Sequence, residues 1–262
     1  MQISDRPLWL VFVGTVILIV LAIEIGVRIG VAVRRRTEDE KESPVSAITG
    51  TVLALLAFML AFTFGIVSDR YESRKSLVRE QAITISTSFA RTDFLPQPER
   101  DEAQALFRTY MDVLLASAES GNVDRLPELI AEAGGILEQL WDMGVEQARL
   151  DSGSEMMSLY IDSLNSVGDV QELRVVVAVE TRLPDGIWLA LASLVVLAMI
   201  AVGYQTAIAD SRRSWVLVLL ALSFATVITL IAVLDNPESG YLPVSQQPLI
   251  DVQRSMEEDA SP

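Results

Sequence analysis

Residues 46–91 contain no proline, and within this run an apolar stretch, 51–67, passes directly into the charged segment Asp69-Arg70-Tyr71-Glu72-Ser73-Arg74-Lys75. A helix through all of it, rising about 1.5 Å per residue, is roughly 70 Å long, against a hydrocarbon core of ~30 Å. Its apolar half suits a bilayer and its charged half suits water. One rigid element is therefore expected to belong to both a membrane-spanning and a water-exposed part. Such mechanical continuity suits a channel or a transmembrane coupler, and neither job needs catalytic chemistry.

The chain is 51% hydrophobic yet carries a net charge of −15, so apolar and charged residues must be segregated. Four blocks, 7–33, 48–67, 187–208 and 215–234, are apolar and long enough to span a bilayer. The expected organisation is transmembrane helices 1 and 2 in 7–68, a soluble acidic helical bundle in 69–185, transmembrane helices 3 and 4 in 187–234, and a C-terminal tail in 235–262. The first block reads as a permanent anchor rather than a signal peptide. Its leader lacks net positive charge, and its apolar run ends in Arg34-Arg35-Arg36 with no small-residue cleavage site.

There is no cysteine and no histidine. That excludes disulfides, thiolate nucleophiles, zinc sites built on Cys or His, histidine-ligated haem and Ser-His-Asp catalysis. An oxygen-ligand site for calcium or magnesium stays open, and no cofactor is implied. The acidic balance argues against nucleic acid as a partner, because phosphate binding needs clustered Lys and Arg. Carboxylate groupings such as Glu99 with Asp101 and Glu102 read as a solvated helix start, so the chain is not expected to be an enzyme.

Block one places Glu24 and Arg28 four residues apart, with Gly26 and Gly30 interleaved. On a helix the two charges are neighbours, read as an intramembrane ion pair that snorkels to the headgroups or, alternatively, as part of an ion pathway. Block two has a stripe of small residues, Gly50, Ala54, Ala57, Ala61 and Gly65, suited to close helix approach. About 100° around the helix lie Leu55, Phe58, Phe62, Ile66 and then Asp69.

Below the membrane the first helix continues with a core seam of Tyr71, Val78, Ala82, Ile85 and Phe89, until Leu95-Pro96-Gln97-Pro98 ends it. A second helix follows, burying Leu106, Tyr110, Val113 and Leu114 and closing at Gly121-Asn122. A third covers 126–150 with Ile130, Leu137, Trp141 and Val145 inward and a weak point at Gly134-Gly135. A fourth covers 154–180 with Met157, Tyr160, Leu164, Val167 and Leu173 inward and a break at Gly168. Leu183-Pro184-Asp185-Gly186 turns the chain back to the membrane. Residues 175–179 have strand character but no partner strand, so the fold class is all-α. The last two blocks form a hairpin around 209–213, in which Thr206, Ser223, Thr226 and Thr229 are expected to bond back to their own helices. The acidic C-terminal end reads as frayed.

The segment Ala61-Phe62-Thr63-Phe64, then Asp69-Arg70-Tyr71, Arg74-Lys75, Glu80, Arg91 and Leu95-Pro96, resembles the bestrophin-like family, bacterial four-helix membrane proteins distantly similar to bestrophin ion channels. Glu24, Gly26, Arg28 and Gly30 match as well, as do Asp235-Asn236-Pro237 with Gly240 and Gln246-Gln247-Pro248. The resemblance implies a multi-pass protein of the bacterial plasma (inner) membrane, with the lipid bilayer as its surroundings. It further implies a homo-oligomer, a pentamer if like bestrophins, that passes inorganic ions. Bestrophins proper line a narrow apolar neck with their second transmembrane helix. Aligning the Asp-Arg-Tyr match places that neck on Phe62, Phe58 and a third position, Ala54 or Leu55. Asp69 lies about 20° from Phe62 around the helix, so with Ile66 it stands at the pore entrance. A ring of Asp69 carboxylates there favours cations, unless Asp69 pairs with Arg70 or Ser73 and faces no pore. Some bestrophins hold calcium after the last membrane helix, but the dense acidic cluster is missing here, and Asp235-Asn236 reads as a structural turn. Thr63 and Phe64 replace the polar residues that follow the family's neck phenylalanine.

Two functions compete. One is an oligomeric ion channel with block two lining the pore; the other is a nonconducting membrane scaffold or regulator whose acidic bundle recruits a partner. Orientation is contested too. Arg34, Arg35, Arg36, Lys41, Arg212 and Arg213 in the short loops make those loops cytoplasmic by the positive-inside rule, whereas the bestrophin comparison implies the opposite side.

Overall fold

The structure is a computed structural model that describes residues 7–35, 42–119, 125–180, 182–209, 215–236 and 241–259. The leader, the basic residues Arg36 and Lys41, the Gly121-Asn122 helix end, the loop residues Arg212 and Arg213, and the Pro237 and Gly240 turn positions lie outside them. All elements among the described residues are helical. They are α1 (Leu8–Arg34), α2 (Glu42–Ala90), a 3-10 turn (Arg91–Phe94), α3 (Glu99–Glu119), α4 (Leu126–Leu150), α5 (Glu155–Glu180), α6 (Asp185–Ile208), α7 (Trp215–Asp235) and α8 (Gln247–Glu258). Of these, α1, α2, α6 and α7 are long and apolar enough to cross a membrane.

The expected rod is present: α2 is one unbroken helix of 49 residues, about 70 Å of axial rise. Pro44 sits in its first turn, where a missing N–H costs little. The other end stops where Leu95 turns extended ahead of Pro96, as a residue preceding proline favours.

The chain divides into two compact units, one of Met1–Tyr71 with Arg182–Pro243, the other of Glu72–Thr181 with Val244–Pro262. In the first, α1 and α6 meet through glycines. A β-carbon on Gly26 would fall 2.1 Å from the Ile200 carbonyl oxygen, and one on Gly203 would fall 2.1 Å from that of Ile23. Only hydrogen in place of a side chain lets the two backbones approach so closely, which in lipid maximises dispersion contact between helices. The apolar core around this seam includes Ile19, Ala22, Leu56, Leu60, Val195, Ala198 and Met199.

In the second unit the seam Val78, Ala82, Ile85 and Phe89 of α2 is buried, with Tyr71, which belongs to the first unit, half-buried. Tyr110, Val113 and Leu114 of α3 and Met157, Tyr160, Leu164 and Val167 of α5 join the same core, while Leu106 is half-buried. The third helix is rotated by one residue from expectation. Its buried line is Leu129, Ala133, Ile136, Leu140 and Gly144, and Ile130, Leu137, Trp141 and Val145 stand half-buried beside it. The small residues decide the phase: a β-carbon on Gly144 would lie 3.2 Å from the Tyr160 ring, so α5 presses closest where α4 has least side chain. Leu173, expected inside, is exposed. Gly134, Gly135 and Gly168 break nothing, and residues 175–179 continue α5 as helix.

The segment read as frayed contains α8. Its Leu249 and Met256 are fully buried in the second core, Arg108 Nε donates to the Met256 carbonyl at 3.3 Å, and Gln253 Nε2 donates to Asp112 Oδ1 at 2.6 Å. Three of the four hydroxyls expected to bond back do so: Thr206 to Val202, Ser223 to Leu219 and Thr226 to Leu222, each at 2.8 Å. Thr229 is the exception, buried with its Oγ1 unpartnered.

Candidate functional site

Three faces run along the membrane half of α2. Thr49, Leu56, Leu60, Thr63 and Val67 recur at spacings of seven, four, three and four and are buried against their own chain. On the opposite side stand Leu55, Phe58 and Phe62, exposed by 49%, 64% and 59%. The two phenylalanine rings stack with centroids 6.4 Å apart and planes inclined by 17°. That is the geometry four residues of helix impose, since one turn rises about 5.4 Å. Ile66 continues this line half-buried, and Asp69 ends it exposed, roughly 10 Å along the axis from Phe62.

Between these faces runs the small stripe. Gly50, Ala54, Ala57 and Ala61 are exposed and Gly65 is half-buried; β-carbons on Gly50 and Gly65 would meet nothing within 4 Å. Ala57, Ala61 and Phe64 form one wall of an open apolar groove whose other wall is Phe224, Val227 and Leu230 of α7. Among the described residues, nothing approaches the stripe closely at Gly50 or Gly65. Close approach is made instead at Gly26, Gly30 and Gly203.

The ion pair on α1 forms, with Arg28 Nε 3.0 Å from Glu24 Oε1 and Arg28 the more exposed partner.

Asp235, at the end of α7, is buried and fully engaged. Its Oδ1 accepts from the Leu183 backbone N–H at 2.8 Å, its Oδ2 accepts from Trp188 Nε1 at 3.3 Å, and Arg70 Nη1 lies 3.7 Å from Oδ1. This carboxylate ties the α6 entry to the last turn of α7 and to α2, a structural role. Among the described residues no three carboxylates converge as a metal site would require.

A second polar group, with no local sequence signal, lies among the soluble helices. Arg174 donates to Gln81 Oε1 and, at 3.3 Å, from Nη2 to Gln246 Oε1, while the Tyr110 hydroxyl donates to Gln171 Oε1. Burial lowers the basicity of Arg174 and raises the pKa of Tyr110 well above its usual value; the nearby Gln81 amide and Arg174 charge oppose the Tyr110 shift only in part. Tyr160 is raised by burial as well, and its hydroxyl has no partner.

The fold recurs in solved structures. A bacterial bestrophin homologue from Klebsiella pneumoniae, carrying an isoleucine-to-threonine change, superposes with a TM-score of 0.64 at 15% identity over 92% of this chain and 97% of that one. A membrane protein solved as a proline-to-alanine variant gives 0.67 at 15% identity over 95% and 99%. A comparison with curated protein sequences finds no match. The family described as Bestrophin-like domain matches residues 11–249, most of the length of the chain, and the protein is therefore a member of the Bestrophin-like family.

Proposed function

We propose that this chain is the subunit of a homo-oligomeric ion channel in which α2 lines the pore, Phe58, Phe62 and Leu55 form an apolar neck, and Asp69 with Ile66 marks its entrance. The observation that carries this reading is the pair of stacked, exposed phenylalanines on the side of α2 opposite the face that its own chain buries. A neck that gates by dewetting needs bulky apolar groups about one turn apart on one side of a helix. The open small stripe beside them supports an assembly about a central axis, because Gly50, Ala54, Ala57, Ala61 and Gly65 let a neighbouring helix come close while the aromatic line stays at the axis. In a five-fold arrangement, as bestrophins imply, five Asp69 carboxylates ring the entrance and favour cations.

The test is ion flux in proteoliposomes. Replacing Phe58 and Phe62 together by Ala widens the neck and raises flux severalfold with the oligomer intact. Unaltered permeability in a folded oligomer overturns the neck assignment. A reversal potential measured under a potassium chloride gradient shifts toward the potassium value, and a shift toward chloride overturns the cation preference.

A further inference from the structure

A cation withdrawn from water needs either an opposite charge or several good acceptors. Arg174 on α5 is half-buried and has neither in full. Its two hydrogen bonds go to neutral amide oxygens, Gln81 Oε1 and Gln246 Oε1, and among the described residues no carboxylate pairs with it. A guanidinium has five N–H donors, so those not used by the two glutamines are open to water or to a ligand in the pocket.

Arg174 forms part of the wall of a cavity of about 110 Å³ between the soluble helices. Gln81 lines the same cavity and is only 1% exposed. Its Oε1 accepts from Arg174, which fixes the amide so that Nε2 is the remaining donor. The neighbouring Tyr110 hydroxyl donates to Gln171, and Gln81 Nε2 is turned toward the Tyr110 oxygen and has no other acceptor. The Arg174 guanidinium and the Gln81 amide thus line the pocket side by side. Leu129, Ile130 and Ala133 of α4 make the other end apolar.

These features specify a ligand. The polar end presents donors and one positive charge, which match one carboxylate, held through paired N–H bonds from the guanidinium. A second carboxylate would be buried against Leu129 and Ile130 without a partner. A chloride ion would leave the apolar end unfilled. The pocket is half open, and beside an engineered cavity of ~150 Å³ that admits benzene its enclosed part suits about five or six heavy atoms. We propose that this cavity is a binding site for a short-chain aliphatic monocarboxylate, its carboxylate held by Arg174 and Gln81 and its tail against Leu129, Ile130 and Ala133. Because the whole chain is acidic, diffuse attraction of anions is weak, and affinity must come from these contacts. The site lies wholly within the soluble unit and does not depend on the pore reading.

The experiment is isothermal titration of the purified full-length chain with butyrate at constant chloride, beside butyramide and succinate. Butyrate binds saturably, one per chain, and neither comparison compound does. Arg174→Gln weakens butyrate about tenfold or more, the loss of one charge-assisted contact. Ile130→Phe, which fills the apolar end, abolishes binding at an unchanged melting temperature. Absence of saturable binding to the unaltered chain overturns the proposal. So does butyramide binding as tightly as butyrate, undiminished binding in folded R174Q, or chloride displacing butyrate at equal concentration. Should R174Q fail to fold, the titrations of the unaltered chain and of I130F still decide.

Discussion

Replacing Gly203 by Ala tests the closest helix contact in the membrane unit. The added carbon would stand 2.1 Å from the Ile23 carbonyl oxygen and 3.0 Å from the Val27 nitrogen. An unstrained carbon–oxygen contact is about 3.3 Å, so α1 and α6 must part by roughly 1 Å. Both obstacles are backbone, and no side chain can swing aside to relieve them. Overpacking of this kind costs about 1–3 kcal/mol, and the rigid obstacle puts Gly203 at the upper end. Alanine's better helix propensity returns about 1 kcal/mol, for a net loss of about 2 kcal/mol. Gly14, on the same α1, meets nothing within 4 Å, so Gly14→Ala gains the propensity term with no clash. The two variants should therefore differ by about 3 kcal/mol, or ~5–10 °C in melting temperature. Thermal unfolding in detergent, followed by the fluorescence of Trp188, buried in α6, in a chain whose other three tryptophans are replaced by Phe, reads the difference. If Gly203→Ala melts together with Gly14→Ala, the backbone contact between α1 and α6 is not what holds this unit together.

Other perturbations probe the remaining elements. Asp235→Ala removes the acceptor for Leu183 N–H and Trp188 Nε1 and leaves Arg70 without its ion pair, at a cost of about 3–5 kcal/mol; Asp235→Asn costs less because its amide oxygen still accepts from Leu183. Equal stability of Asp235→Ala and the unaltered chain in a thermal melt would contradict this role. Leu249→Ala should cost about 2–5 kcal/mol and open the C-terminal segment to protease, whereas a chain with a frayed end would lose nothing. Asp69→Asn should move the reversal potential toward zero in a salt gradient while leaving the chain folded and the oligomer intact. An unchanged reversal potential would take Asp69 off the ion path.

How well each element could be read in advance follows its solvent. The α2 seam below the membrane was plain because water makes Val78, Ala82, Ile85 and Phe89 stand out against charged neighbours. The α4 phase was ambiguous because two apolar lines run side by side, Leu129, Ile136 and Leu140 next to Ile130, Leu137 and Trp141. Bulk pointed to one, while the close approach at Gly144 selected the other. The helix α8 was hidden by its acidic composition, although Leu249, Val252 and Met256 already fall on one helical face. The Arg174 cluster gives no local pattern at all, since Gln81, Arg174 and Gln246 come from three distant stretches of chain.

Within the membrane the contrast between apolar and polar disappears, and with it the usual signal. A helix that is apolar all round can bury any face, so composition alone does not say that Leu56 and Leu60 pack inward while Phe58 and Phe62 face out. Lipid is as apolar as leucine, and the exposure of two phenylalanines carries no penalty that would force them to find a partner. What separates a pore-facing ring from a lipid-facing one is therefore the neighbouring surface. A lipid-facing aromatic line needs no particular neighbour. A line at a symmetry axis needs an adjacent strip on which the next subunit can seat its own helix. On the proposed reading that strip is Gly50, Ala54, Ala57, Ala61 and Gly65, while the close contacts seen within the described residues use Gly26, Gly30 and Gly203. Bulky substitution there discriminates the two cases: Gly65→Leu meets open space in a single chain and should leave its melting in the monomeric state within about 1 kcal/mol, yet it should dissociate the oligomer. An oligomer that survives Gly65→Leu and Ala61→Leu together would place the subunit contact elsewhere and leave the phenylalanine line facing lipid.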